Sequence, residues 1–88
     1  MYRVILEPGQ VLDSSKHLCV YVITYDTEDF PGVYTVRQQW TGPDLIYFAY
    51  DPLGHGNTLE EARQFIPQGL TRFLRNDVDD PVIVESWL

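Results

Sequence analysis

The segment Leu18–Tyr25 (LCVYVITY) constrains the fold more than any other part of the sequence. It is rich in β-branched and aromatic residues, which favour extended structure. Successive side chains of a strand point to opposite faces of a sheet, and both alternating sets are apolar here. One set consists of Cys19, Tyr21, Ile23 and Tyr25, and the other of Leu18, Val20 and Val22. A strand of this kind is typical of the middle of a sheet that is covered on both faces.

Four further segments have the composition of strands. They are residues 2–7, 33–40, 45–50 and 82–88. Gln38 interrupts the apolar set of the second of these, which favours a position nearer an edge of the sheet. The connections between the first four strands are too short for parallel crossovers, so we predict an antiparallel meander.

Residues 58–74 change to the helical period. Thr58 and Glu61 form a capping box at the start. Apolar residues then recur at spacings of three and four, namely Leu59, Ala62, Ile66, Leu70 and Phe73. Because Pro67 and Gly69 interrupt this stripe, it predicts a helix over residues 58–65 and a further turn or two over residues 68–74.

These segments together predict one α+β domain spanning residues 1–88. The expected architecture is an antiparallel sheet of four to five strands, made of the N-terminal meander and a C-terminal strand. One helical segment, kinked near Pro67, packs on one face of that sheet. The length suits a single domain, and a hydrophobic content of 44% is typical of a folded chain.

The charge of the chain narrows the classes of partner. Thirteen acidic and six basic residues give a formal net charge of −7. This charge disfavours nucleic acid and anionic membrane surfaces, because both would repel it. Single-stranded nucleic acid could stack on the tyrosines, but the sign of the charge is wrong for it. Solubility explains the charge, and attraction of a basic protein partner is the alternative explanation.

The cysteine and histidine content argues against metal and redox sites. Cys19 is the only cysteine, so no internal disulfide can form, and a reducing cytoplasm is the expected location. His17 stands two positions away and could serve as a catalytic base or as a second zinc ligand. Zinc usually needs four ligands, and His55 is the only other His or Cys in the sequence. The acidic segments 26–32 and 76–81 are interpreted as solvated turns, since the second lacks the glycine and final glutamate of a calcium loop. We therefore predict a core role for Cys19, and no metal, cofactor or catalytic residue.

Residues 51–57 (DPLGHGN) are the best place for a ligand site. His55 stands between Gly54 and Gly56, and Asn57 precedes a helix whose N-terminus offers free backbone donors. The segment lacks the glycine spacing and the Lys-Ser/Thr end of a phosphate loop, and a plain turn from strand to helix also explains it. A small-molecule or anion site here is the alternative function, with His55 as the acid–base group if the site is enzymatic.

The tyrosines support the leading prediction. Tyr21, Tyr34 and Tyr47 occur at alternating positions on predicted strands. One helical segment covers one face of a sheet and not both, so we expect aromatic side chains opposite the helix to stay open in the monomer. An exposed patch of that kind marks an interface, unless a strongly twisted sheet and its loops cover it. The sequence therefore predicts a non-catalytic protein–protein interaction domain that forms a homodimer, or binds another protein, through these tyrosines.

Overall fold

The computed structural model describes residues 2–6, 15–43, 45–49, 51–74 and 82–88. In these ranges the chain forms seven strands and one short helix, so it is a sheet-rich α+β fold. The elements are, in chain order, β1 (Tyr2–Leu6), β2 (Leu18–Tyr25), β3 (Tyr34–Thr41), β4 (Leu45–Ala49), β5 (Gly54–Gly56), α1 (Leu59–Arg63), β6 (Arg72–Leu74) and β7 (Ile83–Trp87). All five predicted strands are present, with ends that differ by no more than one residue.

β2 lies in the interior of the sheet, as its two apolar faces predict. The strand order is β1-β4-β3-β2-β7-β6, and β5 pairs with β3. β2 and β3 pair antiparallel from Leu18↔Thr41 to Tyr25↔Tyr34, and β7 pairs antiparallel with the other edge of β2. The sheet is therefore built around one long central hairpin.

The prediction of a purely antiparallel sheet is wrong at the first strand. β1 pairs with β4 in parallel, from Tyr2↔Leu45 to Leu6↔Ala49, so the sheet is mixed. The limit on short connections applies to strands that follow each other directly, whereas the β2–β3 hairpin separates β1 from β4 along the chain. Such a pair needs no direct crossover, and sequence spacing does not reveal it.

The sheet is also wider than the four to five strands predicted. Gly54–Gly56 was expected in a loop but forms β5, and Arg72–Leu74 was expected as a helical turn but forms β6. β6 extends the edge of β7, and just beyond it Thr71 and Leu88 exchange backbone hydrogen bonds of 2.9 and 3.0 Å. Backbone hydrogen bonds to the edge of β7 thus determine the structure of residues 72–74, although the sequence of residues 68–74 has a weak helical pattern.

The core lies between α1 and one face of the sheet, called here the helix face. Ile23, Val36 and Ala62 are completely buried. Partly buried residues pack around them, namely Tyr34, Leu59, Ile66 and Val84. The first three positions of the predicted helical stripe therefore face the sheet, but α1 ends before Pro67 and has no kink there.

Strand alternation assigns the other side chains to the two faces. Ile23 and Val36 lie directly opposite each other, so odd-numbered residues of β2 and even-numbered residues of β3 share the helix face. The remaining residues of these strands point to the opposite face, where Val20, Val22 and Thr35 are also buried. Both faces of β2 are thus covered along part of its length, as its composition predicts.

Candidate functional site

The three tyrosines predicted at an interface lie on the helix face, not opposite the helix. Tyr21 and Tyr34 belong to the sets of β2 and β3 that share that face, and Tyr47 on β4 lies directly opposite Trp40 of β3. The expectation was wrong because alternation shows which residues share a face but not which of two apolar faces the helix covers. Access to a partner therefore depends on how far α1 extends across this face.

α1 covers one end of the helix face and leaves an aromatic patch beyond it. The helix packs mainly on β5 and β3. The aromatic patch is defined by Tyr21, Trp40, Tyr47 and Trp87, and all four side chains are partly exposed. Trp87 lies directly opposite Tyr21, and Trp40 directly opposite Tyr47. Such directly opposed side chains have Cβ atoms about 5 Å apart. Tyr21 and Trp40, which belong to neighbouring strands, are diagonal neighbours about 7 to 8 Å apart, a distance that aromatic side chains can bridge.

Tyr34 lies apart from this patch. It packs against the buried cluster beneath α1, and its ring centroid is 4.6 Å from that of Tyr25. Of the three predicted interface residues, the structure therefore brings together Tyr21 and Tyr47 but not Tyr34.

A polar group lies within the aromatic patch. Gln38 lies opposite Tyr21, and its Nε2 donates to the Tyr21 hydroxyl over 3.3 Å and approaches Cys19 Sγ at 3.9 Å. Burial raises the pKa of the Cys19 thiol, and hydrogen bonds with Tyr21 and Gln38 offset this only in part. A thiol with a raised pKa stays protonated near neutral pH and is a poor nucleophile.

His17 packs at the border of the aromatic patch. Its ring lies edge-on to Tyr47, with 5.6 Å between the ring centroids. It also covers Gly42, where a Cβ atom would come within 2.8 Å of the imidazole. Across the described ranges, no three His, Cys, Asp or Glu side chains lie close enough together to hold a metal ion.

The sheet divides the predicted ligand loop between its two faces. Gly54 and Gly56 face α1, whereas His55 points to the opposite face. A Cβ atom on Gly54 would overlap the Phe65 ring, and one on Gly56 would lie 2.6 Å from Cβ of Glu61. The two glycines therefore let α1 approach β5 closely, which gives the Gly-His-Gly sequence a structural reason.

The predicted capping box is confirmed in its first hydrogen bond, whereas its second comes from Asn57 and not from Thr58, and both bonds use donors that an anion would need. Thr58 Oγ1 accepts a hydrogen bond from the Glu61 N–H over 3.2 Å. The Glu61 carboxylate in turn accepts one from the Asn57 N–H over 2.8 Å. An anion site at residues 54–57 remains a prediction from the sequence, and this geometry adds no support to it.

His55 instead stands beside a cleft on the opposite face. The imidazole of His55 stacks on the Phe30 ring with 6.0 Å between the centroids. The Arg37 guanidinium lies 5.6 Å from the centroid of the Phe30 ring. The cleft has a volume of about 740 Å³ and a mostly apolar lining, formed by Ile5, Asp29, Phe30, Arg37, Phe48, Ala49, Asp51 and Pro52. We call it the Phe30 cleft.

Sequence reasoning missed the Phe30 cleft because its walls come from four separate segments. By sequence, Arg37 belongs only to the predicted strand 33–40, and Phe30 only to the acidic turn 26–32. The one available signal was a large apolar side chain in that turn, because solvated turns seldom contain one. Its neighbours in space became visible only with the pairing of β1, β3 and β4.

The buried carboxylate of Glu85 on β7 binds both α1 and the Trp87 side chain of the aromatic patch. Glu85 is 1% exposed, and Arg63 binds its two carboxylate oxygens at 2.7 and 3.1 Å. Trp87 Nε1 also donates to Glu85 Oε2 over 2.6 Å. Burial acts to raise the pKa of Glu85, but the hydrogen bonds from Arg63 and Trp87 outweigh it and hold the pKa below its usual value. The carboxylate is fully engaged, which indicates a structural role.

Comparisons with known proteins provide no relative for this chain. The described segments include no helix long and apolar enough to cross a membrane. No family model matches the sequence, and no curated protein or solved structure is significantly similar to it.

Proposed function

We propose that this chain is a non-catalytic protein-interaction domain that self-associates through the aromatic patch. One observation carries the proposal. Two directly opposed aromatic pairs, Trp87 with Tyr21 and Trp40 with Tyr47, lie on four neighbouring strands beyond the end of α1 and keep part of their surface exposed.

The composition of the patch suits a protein interface. Tyrosine and tryptophan are enriched where partners bury each other, because they combine a large apolar area with a polar group that can stay hydrogen-bonded. Gln38 adds a side-chain amide to the same surface. A small number of such aromatic anchors supplies most of the binding free energy in many complexes.

The patch is also held in a fixed shape. The indole of Trp87 is tied to Glu85, and the ring of Tyr47 is packed against His17. Side chains that are already ordered lose less entropy on association, so the same contacts yield a tighter complex. This order favours an interface over a patch of loosely solvated rings.

The setting of the proposed function follows from charge and cysteine content. The net charge of −7 favours a second copy with local charge complementarity or a basic protein partner over nucleic acid or membrane. A reducing cytoplasm remains the proposed location, because Cys19 has no second cysteine in the sequence with which to form an internal disulfide.

The test is a charged substitution within the patch. We expect Tyr47→Asp to reduce the solution mass to that of a monomer, because the substitution removes an aromatic anchor and places a carboxylate in the contact. The control is Leu18→Asp, which adds the same charge at an exposed site on the opposite face and should leave the wild-type mass unchanged. Sedimentation equilibrium measures the mass, and far-UV circular dichroism checks the fold of each variant.

The wild-type protein provides an independent outcome. A wild type that is monomeric at about 1 mM would lack even the 4 kcal/mol that a millimolar dimer requires, and self-association would be excluded. Equal dissociation by Leu18→Asp would show that net charge, and not the aromatic patch, controls the mass.

A further inference from the structure

The Phe30 cleft lies on the face of the sheet away from the aromatic patch, so it can serve a second purpose. Its volume of about 740 Å³ falls in the range of small-molecule sites, which is about 300 to 1,000 Å³. Phe30, Phe48 and Pro52 supply apolar walls, and Ile5 is 62% exposed at its margin. A ligand with an apolar body would cover surface that is otherwise in contact with water.

The cation within the cleft is already neutralised. Arg37 Nη2 lies 2.5 Å from Asp29 Oδ2, and the same guanidinium lies over the Phe30 ring. The other oxygen of Asp29 accepts a hydrogen bond from the Thr27 hydroxyl over 2.8 Å. Hydrogen bonds from Arg37 and then Thr27 lower the pKa of Asp29, so this carboxylate stays ionised at neutral pH. An anionic ligand would have to displace Asp29 from its guanidinium partner.

The charge left over in the cleft is negative. Asp51 is exposed on the lining, and within the described ranges it has no hydrogen bond or ion pair. The charges of Asp29 and Arg37 cancel, so Asp51 gives the lining a formal charge of −1. The whole chain has a net charge of −7. Both the local and the overall charge attract cations and repel anions.

From this geometry we infer that the Phe30 cleft binds a small organic ammonium ion, with its apolar body on Phe30 and Phe48 and its charged group beside Asp51. The Phe30 ring already lies beneath the Arg37 guanidinium, so the aromatic walls contribute apolar contact and the Asp51 carboxylate supplies the attraction for the ammonium group. The site lies outside the aromatic patch, and the inference does not depend on self-association.

The inference can be tested with three ligands of one shape. The probes are 2-phenylethylammonium, the uncharged 2-phenylethanol and the anionic 3-phenylpropionate, each titrated into ¹⁵N-labelled protein. We expect the ammonium to shift the amide signals of Phe30, Arg37 and Phe48, and to bind about tenfold more tightly than the anion, a difference of about 1.4 kcal/mol. The binding should weaken with added salt, because one ion pair near the surface contributes to it.

A matched pair of variants separates the local charge from the net charge. Asp51→Asn should weaken ammonium binding about fivefold, which is the scale of one partly exposed ion pair. Glu60→Gln makes the same change in net charge at an exposed residue of α1, across the sheet from the cleft, and it should change the affinity less than twofold. Both positions are exposed, so both variants should fold as the wild type does.

Three outcomes would overturn the inference. Tighter binding of 3-phenylpropionate would make Arg37 the anchor of an anion site. Equal weakening of ammonium binding in both variants would show that the net charge of the protein, and not Asp51, attracts the ligand. Signal changes at Tyr21 and Tyr47 without changes at Phe30 would move the ligand to the aromatic patch.

Discussion

At the scale of single residues, Glu85 shows how a buried charge is accommodated in a small protein. Its carboxylate is removed from water, yet both oxygens are bound, by the Arg63 guanidinium and the Trp87 indole. Removing one partner of such a pair costs more than the pair itself contributes, because the other charge is left without compensation. The sequence gives no indication of this pair, since Arg63 and Glu85 meet only when α1 packs beside β7.

Glu85→Gln should lower the free energy of unfolding by about 3 kcal/mol at neutral pH. Because folding lowers the pKa of Glu85, its contribution is present above the unfolded pKa of about 4.5 and is lost as the pH falls through the folded value. Urea unfolding of both proteins should therefore give a constant difference near neutral pH that shrinks below about pH 4.5. Glu60→Gln, which removes the 82% exposed partner of Arg63, should cost less than about 0.5 kcal/mol. A difference that is independent of pH would mean that Glu85 contributes by packing alone.

At the scale of elements, the contact of α1 with β5 depends on two glycines. The obstacle to a side chain at Gly56 is the helix itself, with Cβ of Glu61 at 2.6 Å and the Ala62 nitrogen at 3.0 Å. The obstacle at Gly54 is the end of the Phe65 side chain, which is 44% exposed and can move aside. We therefore expect Gly56→Ala to destabilise the protein by about 2 kcal/mol, the scale of an overpacked core. Gly54→Ala should cost clearly less, and equal losses in urea unfolding would show that the helix can shift as easily as Phe65.

The elements differ in how well the sequence predicts them. Strong local sequence patterns were sufficient to predict β2, which has two apolar faces, and the hydrogen bond between Thr58 and Glu61 at the start of α1. β5 and β6 were missed because each has only three residues and forms by adding to an edge that another strand provides. Gly54 and Gly56 are poor strand formers by composition, so only their pairing with β3 determines their structure.

At the scale of the whole molecule, both candidate sites depend on contacts that are distant in the sequence. The parallel pairing of β1 with β4 brings the edge strand beside the segment that continues into Asp51, and Ile5 then joins the lining of the Phe30 cleft. The aromatic patch needs β7 beside β2, so that Trp87 meets Tyr21. Alternation predicted that aromatic side chains would share a face, but the length and position of α1 decide which of them stay accessible.

Hydrogen exchange provides a test of this arrangement across the entire sheet. β2 is bordered by β3 and β7 and contains Ile23, which is completely buried, whereas β1 pairs only with β4 among the described strands. We expect the bonded amides of β1 to exchange through local opening, and those of β2 only through global unfolding. Native-state exchange in increasing urea, followed by NMR, measures the opening free energy of each strand. Equal protection of β1 and β2 would contradict this order. The protection of the β1 amides could also rise with protein concentration while the protection of the Tyr21 and Tyr47 amides stays unchanged. That result would place the contact between copies at the edge of the sheet instead of the aromatic patch.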